Sequence, residues 1–185
     1  MKMQKKTFVA VGREGKRTSV TIRKSQLTQK IGKLMRLHGS EGTVSLVTVT
    51  LEKAGRSRDL LMALKKFKAP MQPVEEQFKI LNDLKTIPGI CSHVPPTVKL
   101  LEQKSGRPRL LLTDLTASGK YLLQEPNLFN PAVSKKMQEL NGLLAMNGFG
   151  FGLSLDAYAM QVEAATGSFV KLWIVDAGQI SRLKR

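Results

Sequence analysis

The hydrophobic and polar positions along the chain predict a mixed protein in which short strands alternate with two helices. The strands are runs of β-branched and other apolar side chains, bounded by glycine, proline and polar turn residues. The first two runs are separated by a polar turn that contains Gly55, so together they predict a β-hairpin. The predicted strands are residues 43–51, 60–67, 97–101, 109–113 and 169–175.

Two helices are predicted from their start and stop signals. Pro73 suits a first helical turn, and the acidic pair Glu75 and Glu76 complements the helix dipole there. This helix should end before Pro88 and Gly89. The second helix should begin near Pro131 and continue through apolar positions to Leu144, before the glycines at 148–152 stop it.

Composition limits the classes of protein that the chain can represent. Its 185 residues are 42% hydrophobic and 24% charged, so they can build a core and are not a disordered charged tail. The chain has no apolar run near the roughly 20 residues of a membrane span, and no apolar stretch that would make a classical secretory signal follows Met1. The single cysteine, Cys91, excludes an internal disulfide.

Charge is distributed unevenly along the chain. The formal net charge is +16, and residues 1–36 contribute +10 of it through eleven basic side chains and one acid. We therefore expect residues 1–30 to form a basic N-terminal extension that attracts an anionic partner. Only one aromatic residue, Phe8, lies in this segment, so no platform for stacking nucleic-acid bases is evident.

Two segments have the composition of a phosphate site. The turn from Gly39 to Gly42 is the type that lets backbone N–H groups approach phosphates. Lys65 ends the return strand of the same hairpin, from which a lysine can reach beneath that turn, although Lys66 is an alternative. One helix later, Glu76, or else Glu75, is suited to pair with the lysine and orient it.

Acidic and amide side chains near the C-terminus suit a divalent cation. Asp156 lies in a predicted loop, and Gln161 follows five residues later. Asp176 comes directly after the last apolar strand and before Ala177 and Gly178. Carboxylate and amide oxygens of this kind can hold Mg²⁺ and orient a substrate hydroxyl.

Taken together, these segments resemble the protein-kinase fold over about residues 31–180. The resemblance implies an α+β, truncated bilobal structure with an antiparallel β-sheet N-lobe that contains one helix, and with a reduced helical C-lobe. The N-lobe would cover residues 31–115 with the hinge at its end, and the C-lobe residues 116–185.

The resemblance also implies roles for particular residues. Asp156 and Lys65 would be catalytic, and Gln161 and Asp176 would ligate Mg²⁺. Adenine would meet backbone groups at the hinge. The implied ATP-binding residues are Gly39, Gly42, Val44, Ala63, Lys65, Glu76, Asp114 and Leu115.

The sequence departs from the usual kinase pattern. Ser154 and Leu155 replace the usual His-Arg, Gln161 replaces the metal-binding Asn, and Ala177 replaces the Phe of Asp-Phe-Gly. Only nine residues follow Asp176, which leaves no room for an activation segment or substrate-binding helices. In this respect the chain resembles the shortened effector kinases that bacteria inject into host cells by type III secretion.

Three functions remain as expectations. The first is an ATP/Mg²⁺-dependent protein kinase that phosphorylates Ser or Thr of a host protein, such as a chaperone, after secretion into the host cytoplasm. The second is a catalytically inactive kinase-like module that binds a nucleotide or a partner, which Ser154, Leu155 and Gln161 favour. The third is a basic nucleic-acid-binding protein, which the net charge favours.

Overall fold

The structure is a computed structural model. It describes residues 6–24, 42–53, 56–68, 70, 72–102, 108–151 and 155–183. In this part of the chain it has an α+β architecture with antiparallel strand pairing and two α-helices, so the expected fold class is confirmed at this level. Neither helix combines the length and the apolar composition that crossing a bilayer requires.

Six antiparallel strands form a closed barrel in the order β1-β2-β3-β4-β6-β5. Pairing of β1 with β5 closes it, with Val9 opposite Glu102. The predicted hairpin is confirmed as β3 and β4, which pair along their whole length from Gly42 and Phe67 to Lys53 and Arg56. The strands are β1 (Lys6–Val11), β2 (Arg17–Lys24), β3 (Gly42–Lys53), β4 (Arg56–Phe67), β5 (Val98–Glu102) and β6 (Arg109–Thr113).

The first strands correct the expectation of a separate extension over residues 1–30. Residues 6–24 are part of the barrel, because β1 pairs with both β2 and β5. Alternate residues of β1 and β2, namely Phe8, Ala10, Val20 and Ile22, are buried, whereas most residues between them are exposed. This period of two is the signature of strands with one buried face.

The rest of the described chain contains the second helix and two smaller sheets. Strands β10, β9 and β7 form one sheet in that order, and β11 pairs with β8. The region expected to be a reduced helical C-lobe therefore contains more strand than the sequence predicts. The elements are α1 (Val74–Leu84), α2 (Pro131–Met146), β7 (Tyr121–Gln124), β8 (Phe149–Phe151), β9 (Tyr158–Glu163), β10 (Phe169–Ile174), β11 (Ile180–Arg182) and the 3-10 helices Cys91–His93 and Leu155–Ala157.

Both predicted helices are confirmed with their end signals. Helix α1 follows Pro73, and helix α2 has Pro131 in its first turn. The Asn130 side chain caps α2 by accepting from the backbone N–H of Ala132 at 3.0 Å. Gly148 stops α2 with a φ of +79°, a left-handed conformation that glycine adopts at little cost.

Two hydrophobic cores lie on opposite sides of the barrel wall. Alternation along β4 directs Met62 and Leu64 into the barrel interior, where they pack with the buried residues of β1, β2 and β3. Phe67 faces the other way and joins the core shared with both helices and the C-terminal strands. Lys65 lies between Leu64 and Phe67 and has the outward register of Phe67, so the strand period directs it toward the C-terminal part.

Candidate functional site

Lys65 and Asp176 form a buried ion pair between the barrel and the C-terminal part. Their Nζ and Oδ2 atoms are in direct contact, and the side chains are 8% and 14% exposed. Asp176 reaches this position because the chain after β10 bonds to the 3-10 helix of residues 155–157. The backbone N–H groups of Val175 and Asp176 donate to Ala157 O at 2.9 and 3.3 Å.

The two partners of this ion pair differ in their remaining hydrogen bonds. Asp176 Oδ1 accepts from the backbone N–H of Gly178 at 2.9 Å. Lys65 Nζ lies 4.7 Å from the centroid of the Phe67 ring, but no described atom accepts a well-oriented hydrogen bond from it. An ammonium has three donors, so this group has capacity for an additional anionic oxygen. Unmatched buried donors cost free energy, so a further oxygen ligand at this position would relieve that cost.

The backbone of Asp156 is close to the same pair. Asp156 lies in the 3-10 helix Leu155–Ala157, one residue before the carbonyl that accepts from Asp176 N–H. Its side chain is outside the part that the structure describes. The structure therefore brings the backbone of the Asp156 segment close to the ion pair.

Gln72 is a site residue that the sequence analysis missed. Its Nε2 donates to Ala177 O and to Ile180 O, the latter at 3.0 Å, and so holds the turn that follows Asp176. Gln77 on α1 in turn donates to Gln72 O at 3.3 Å. The contacts of Gln72 join segments far apart in sequence, and no local pattern signals them.

Gln161 occupies a different environment from the expected loop. It lies within strand β9 and is 6% exposed. Its Nε2 donates to Leu115 O at 3.0 Å, and its Oε1 accepts from Trp173 Nε1 at 3.1 Å. The oxygen expected to ligate Mg²⁺ therefore accepts from an indole, and the amide of Gln161 joins β9 to Trp173 and to the Leu115 turn.

Glu76 also has a partner other than the expected one. Its carboxylate lies 3.7 Å from Lys79 Nζ, one helical turn away, and its side chain is 39% exposed. Among the described residues, Lys65 pairs with Asp176 and forms no ion pair with Glu76, while Glu75 is exposed on the helix surface. The i,i+3 spacing on α1 explains this choice, because side chains three apart are neighbours on a helix.

The expected hinge forms a turn stabilised by its own side chains. Asp114 is buried, and its Oδ1 accepts from the backbone N–H and the hydroxyl of Thr116 at 2.8 and 2.7 Å. Leu115 O accepts from Gln161 Nε2, which uses one of the two lone pairs of this carbonyl. The hinge is therefore tied to strand β9 through Gln161.

The glycine turn is described only at its end. Gly39 lies outside the described residues, whereas Gly42 begins β3. A Cβ on Gly42 would lie 2.1 Å from Lys66 O, so close backbone approach is a sufficient reason for glycine there. Val44 pairs with Lys65 across the hairpin, and Ala63 lies two residues before Lys65 on the same strand, so both flank the lysine.

A complete protein cage for a metal ion is not found among the described residues, since no group of three His, Cys, Asp or Glu side chains converges there. Comparison of the chain with protein-family models, curated proteins and solved structures found no match.

Proposed function

We propose that the protein is an ATP/Mg²⁺-dependent protein kinase of minimal form, with Lys65 and Asp176 at its phosphoryl-transfer centre. The observation that carries the proposal is the buried contact between these two side chains. In protein kinases, a lysine on an N-lobe strand binds the nucleotide phosphates, and the aspartate of Asp-Phe-Gly holds Mg²⁺. The sequence resemblance assigns these roles to Lys65 and Asp176 independently of their proximity.

The order of elements along the chain supports a bilobal arrangement like that of a protein kinase. A hairpin with the lysine, a helix, two strands and the hinge precede α2, the Asp156 segment and the strand before Asp176. In this proposal the barrel is the N-lobe, and α2 with strands β7 to β11 is the reduced C-lobe. The ion pair then lies where the two lobes meet, as a nucleotide site between lobes requires.

The side chains of the pair fit a nucleotide phosphate and a cation. Lys65 has unmatched N–H donors in a buried position, which suits the oxygens of a phosphate. The Asp176 carboxylate has more acceptor positions than its two current contacts use, so it can hold Mg²⁺ as well. Mg²⁺ keeps water and phosphate oxygens as its other ligands, so one or two carboxylates suffice. Gln161 is left out of this ligand set, because its amide already bonds to Trp173 and Leu115.

Bound ATP–Mg²⁺ would supply the γ-phosphoryl group and neutralise part of its charge. Lys65 would donate to phosphate oxygens and hold them in line with an attacking hydroxyl. Asp176 would hold Lys65 in position, while Gly178 and Gln72 fix the turn that carries the aspartate. Phosphoryl transfer depends mainly on positioning and electrostatics, so a small scaffold can support it.

The direct test is transfer of label from γ-labelled ATP with Mg²⁺ to proteins of a eukaryotic lysate. The wild type and Lys66→Ala should label a protein, while Lys65→Ala and Asp176→Ala should reduce the rate by about 100-fold or more, as loss of a transition-state contact does. Lys66→Ala is the matched control, because it removes the adjacent charge. Absence of label transfer by the wild type would refute the kinase, and the lysate also tests the host substrate that the resemblance implies.

A second candidate is a kinase-like module that binds a nucleotide without transferring phosphate. The commitment of Gln161 to Trp173 and Leu115 favours it, because that amide is the expected second metal ligand. If this candidate holds, Mg²⁺-ATP raises the melting temperature of the wild type but not of Asp176→Ala, and no label moves. Strongly salt-dependent duplex binding without a nucleotide effect would instead favour a nucleic-acid-binding protein.

A further inference from the structure

The two faces of helix α2 have different surroundings. Its inner face packs against strands β8 and β10 through the buried residues Val133, Met137, Leu140 and Leu144. Its opposite face is exposed, and we call five of its residues the outer stripe: Ala132, Lys135, Glu139, Gly142 and Met146. Their spacing alternates between three and four residues, which is the spacing at which one helix packs lengthwise against another.

Large apolar side chains are exposed at both ends of the outer stripe. Met146 is 83% exposed at the C-terminal end, and Phe129 is 98% exposed in the turn before the helix, next to the half-exposed Leu128. This turn is fixed by Asn127, whose Oδ1 accepts from the backbone N–H of Phe129 at 3.0 Å and whose carbonyl accepts from that of Asn130 at 3.1 Å. Burial of these side chains would remove apolar surface from water, and the fixed turn limits the conformational entropy that is lost.

Gly142 leaves an open place on the outer stripe. A Cβ at this position would meet no atom within 4 Å, so no contact inside the described chain requires glycine there. Glycine in a helix interior is destabilising relative to alanine. Because a backbone without a side chain lets a second helix approach closely, packing against another molecule would account for this glycine.

The charged residues of the outer stripe are of opposite sign. Lys135 is exposed and forms no ion pair within the described ranges. Glu139 accepts from Lys136 Nζ at 2.5 Å through one of its oxygens, Oε2. A carboxylate has about four acceptor positions on its two oxygens, so Glu139 can also accept from the Lys135 of a second molecule.

An antiparallel pair of α2 helices brings complementary residues of the outer stripe together. In a symmetric pair with its two-fold axis at the level of Met137, each residue lies opposite the one equally far on the other side of that level. The facing pairs are then Lys135 with Glu139, Ala132 with Gly142, and Leu128 with Met146. A parallel pair would instead place each charge opposite its own copy, and like charges repel.

We propose that the outer stripe is the interface of a symmetric dimer in which the α2 helices of two copies pack antiparallel. Opposite charges meet near the centre, small residues lie beside them, and large apolar residues lie at the two ends. The partner is a second copy of this chain, because the same stripe and its turn provide both members of every facing pair. The inference does not depend on the proposed kinase activity, since it uses neither Lys65 nor Asp176.

The test is sedimentation velocity of the full chain over a wide range of protein concentration. One helix and its turn form a small interface, so we expect a dissociation constant on the order of 10 μM and a change from monomer to dimer between about 1 and 300 μM. Gly142→Gln should weaken association about ten-fold or more, because a side chain in the open place keeps the helices apart. This variant should melt at the same temperature as the wild type or higher, since glutamine favours a helix more than glycine does.

Charge reversal tests the facing pairs. Lys135→Glu and Glu139→Lys should each weaken self-association about ten-fold, because each places like charges opposite one another at two positions of the dimer. An equimolar mixture of the two variants should form a heterodimer about as tight as the wild-type dimer, because both facing pairs are then attractive. Lys120→Glu makes the same change of net charge as Lys135→Glu at another exposed position, and it should change the dissociation constant by less than about two-fold.

Three results would overturn the proposal. The first is a wild type that stays monomeric over the whole concentration range. The second is a dimer that Gly142→Gln and Lys135→Glu leave as tight as that of the wild type, since another surface would then be responsible. The third is a mixture of Lys135→Glu and Glu139→Lys that associates no more tightly than either variant alone, because the facing charges would then not meet.

Discussion

Two buried polar clusters of this molecule differ in how completely their hydrogen bonds are satisfied. In the first, Gln161 bridges Leu115 O and Trp173 Nε1, so each polar atom of its amide has a partner. In the second, Lys65 and Asp176 bring two charges out of water, and the lysine retains unmatched donors. A fully bonded cluster such as the first helps to specify a single folded structure. Burying the two charges of the second costs free energy of desolvation, which a role in stability alone does not explain.

The difference identifies which buried polar residues to assign to function. Sequence reasoning placed Gln161 and Asp176 together as metal ligands, because both carry oxygen donors near the C-terminus. The structure separates them by their partners. For Gln161 to turn toward a metal ion, its amide would have to break two good hydrogen bonds. The carboxylate of Asp176 can accept a further ligand without breaking any.

Breaking the ion pair should have the largest effect on stability. We expect Lys65→Met to lower the free energy of unfolding by about 3–5 kcal/mol, because it leaves the Asp176 carboxylate buried without a partner. The double variant Lys65→Met with Asp176→Leu should recover most of that loss, since it removes both charges. Urea unfolding measures both values.

The double variant also separates stability from function. If it is as stable as the wild type but no longer binds Mg²⁺-ATP, the ion pair is kept for binding. A double variant that is less stable than either single variant would show that the pair is a structural element, like the Gln161 cluster.

Substitution of Gln161 should lower the free energy of unfolding by less, and it should leave Mg²⁺-ATP binding unchanged. Gln161→Leu leaves an indole N–H and a carbonyl buried without partners, so we expect a loss of about 1–3 kcal/mol in urea unfolding. Gln161→Asn restores the usual kinase residue but shortens the arm, and it should be less stable than the wild type without binding Mg²⁺ more tightly. Tighter Mg²⁺ binding by the Asn variant would return Gln161 to the metal site.

The sequence predicts the elements of this fold better than their assembly. Periodicity and end signals locate the β3–β4 hairpin, α1, β5, β6, α2 and β10. The place of β1 and β2 in the barrel is missed because the many basic residues of this segment indicate an extension, although Val20 and Ile22 alternate with polar neighbours. Strand β9 is missed because residues 158–162 are buried on both faces, which removes the alternation that identifies a half-exposed strand.

The sequence predicts which residue types are candidates for the site, but it does not predict which side chains contact one another. Lys65 and Asp176 are identified from chemistry and position, but their mutual contact is a consequence of how the barrel wall faces the C-terminal part. Glu76 has the right charge for Lys65, yet Lys79 is one turn away and pairs with it instead. Gln72 carries no local signal, because its acceptors Ala177 and Ile180 lie in the C-terminal segment.

Substitution of Gln72 should have a smaller effect, and it tests how the turn that carries Asp176 is held. We expect Gln72→Ala to cost about 1 kcal/mol, the typical net value of a hydrogen bond, and to weaken Mg²⁺-ATP binding because the Asp176 turn loses its anchor. Gln124→Ala, on an exposed strand end, is the control and should change neither property. Equal behaviour of the two variants in urea unfolding and calorimetry would contradict the role of Gln72.

The smallest expected effect is a pH dependence at His93, which contacts the strand that serves both clusters. Its Nδ1 lies 2.7 Å from Leu172 O on β10. Burial lowers the pKa of His93 below its ordinary value, with Lys171 and Lys136 adding to this effect and the Leu172 carbonyl and Glu139 opposing it. The folded protein therefore favours the neutral ring.

The sign of this dependence follows from linkage. The stability that His93 contributes is present above its unfolded pKa of about 6.5 and is lost as the pH falls through its lower folded pKa. Lowering the pH from 7.5 to 5.5 should therefore lower the urea midpoint more for the wild type than for His93→Gln. An equal drop for both proteins would show that His93 does not couple to β10.

The central claim is that Asp176 with Lys65, and not Gln161, forms the site for ATP and Mg²⁺. Isothermal titration calorimetry of ATP with and without Mg²⁺ tests it in the wild type, Asp176→Asn and Gln161→Leu. The account predicts that Mg²⁺ tightens ATP binding in the wild type and in Gln161→Leu but not in Asp176→Asn. Absence of ATP binding by the wild type, or loss of the Mg²⁺ effect in Gln161→Leu with its retention in Asp176→Asn, would contradict the account.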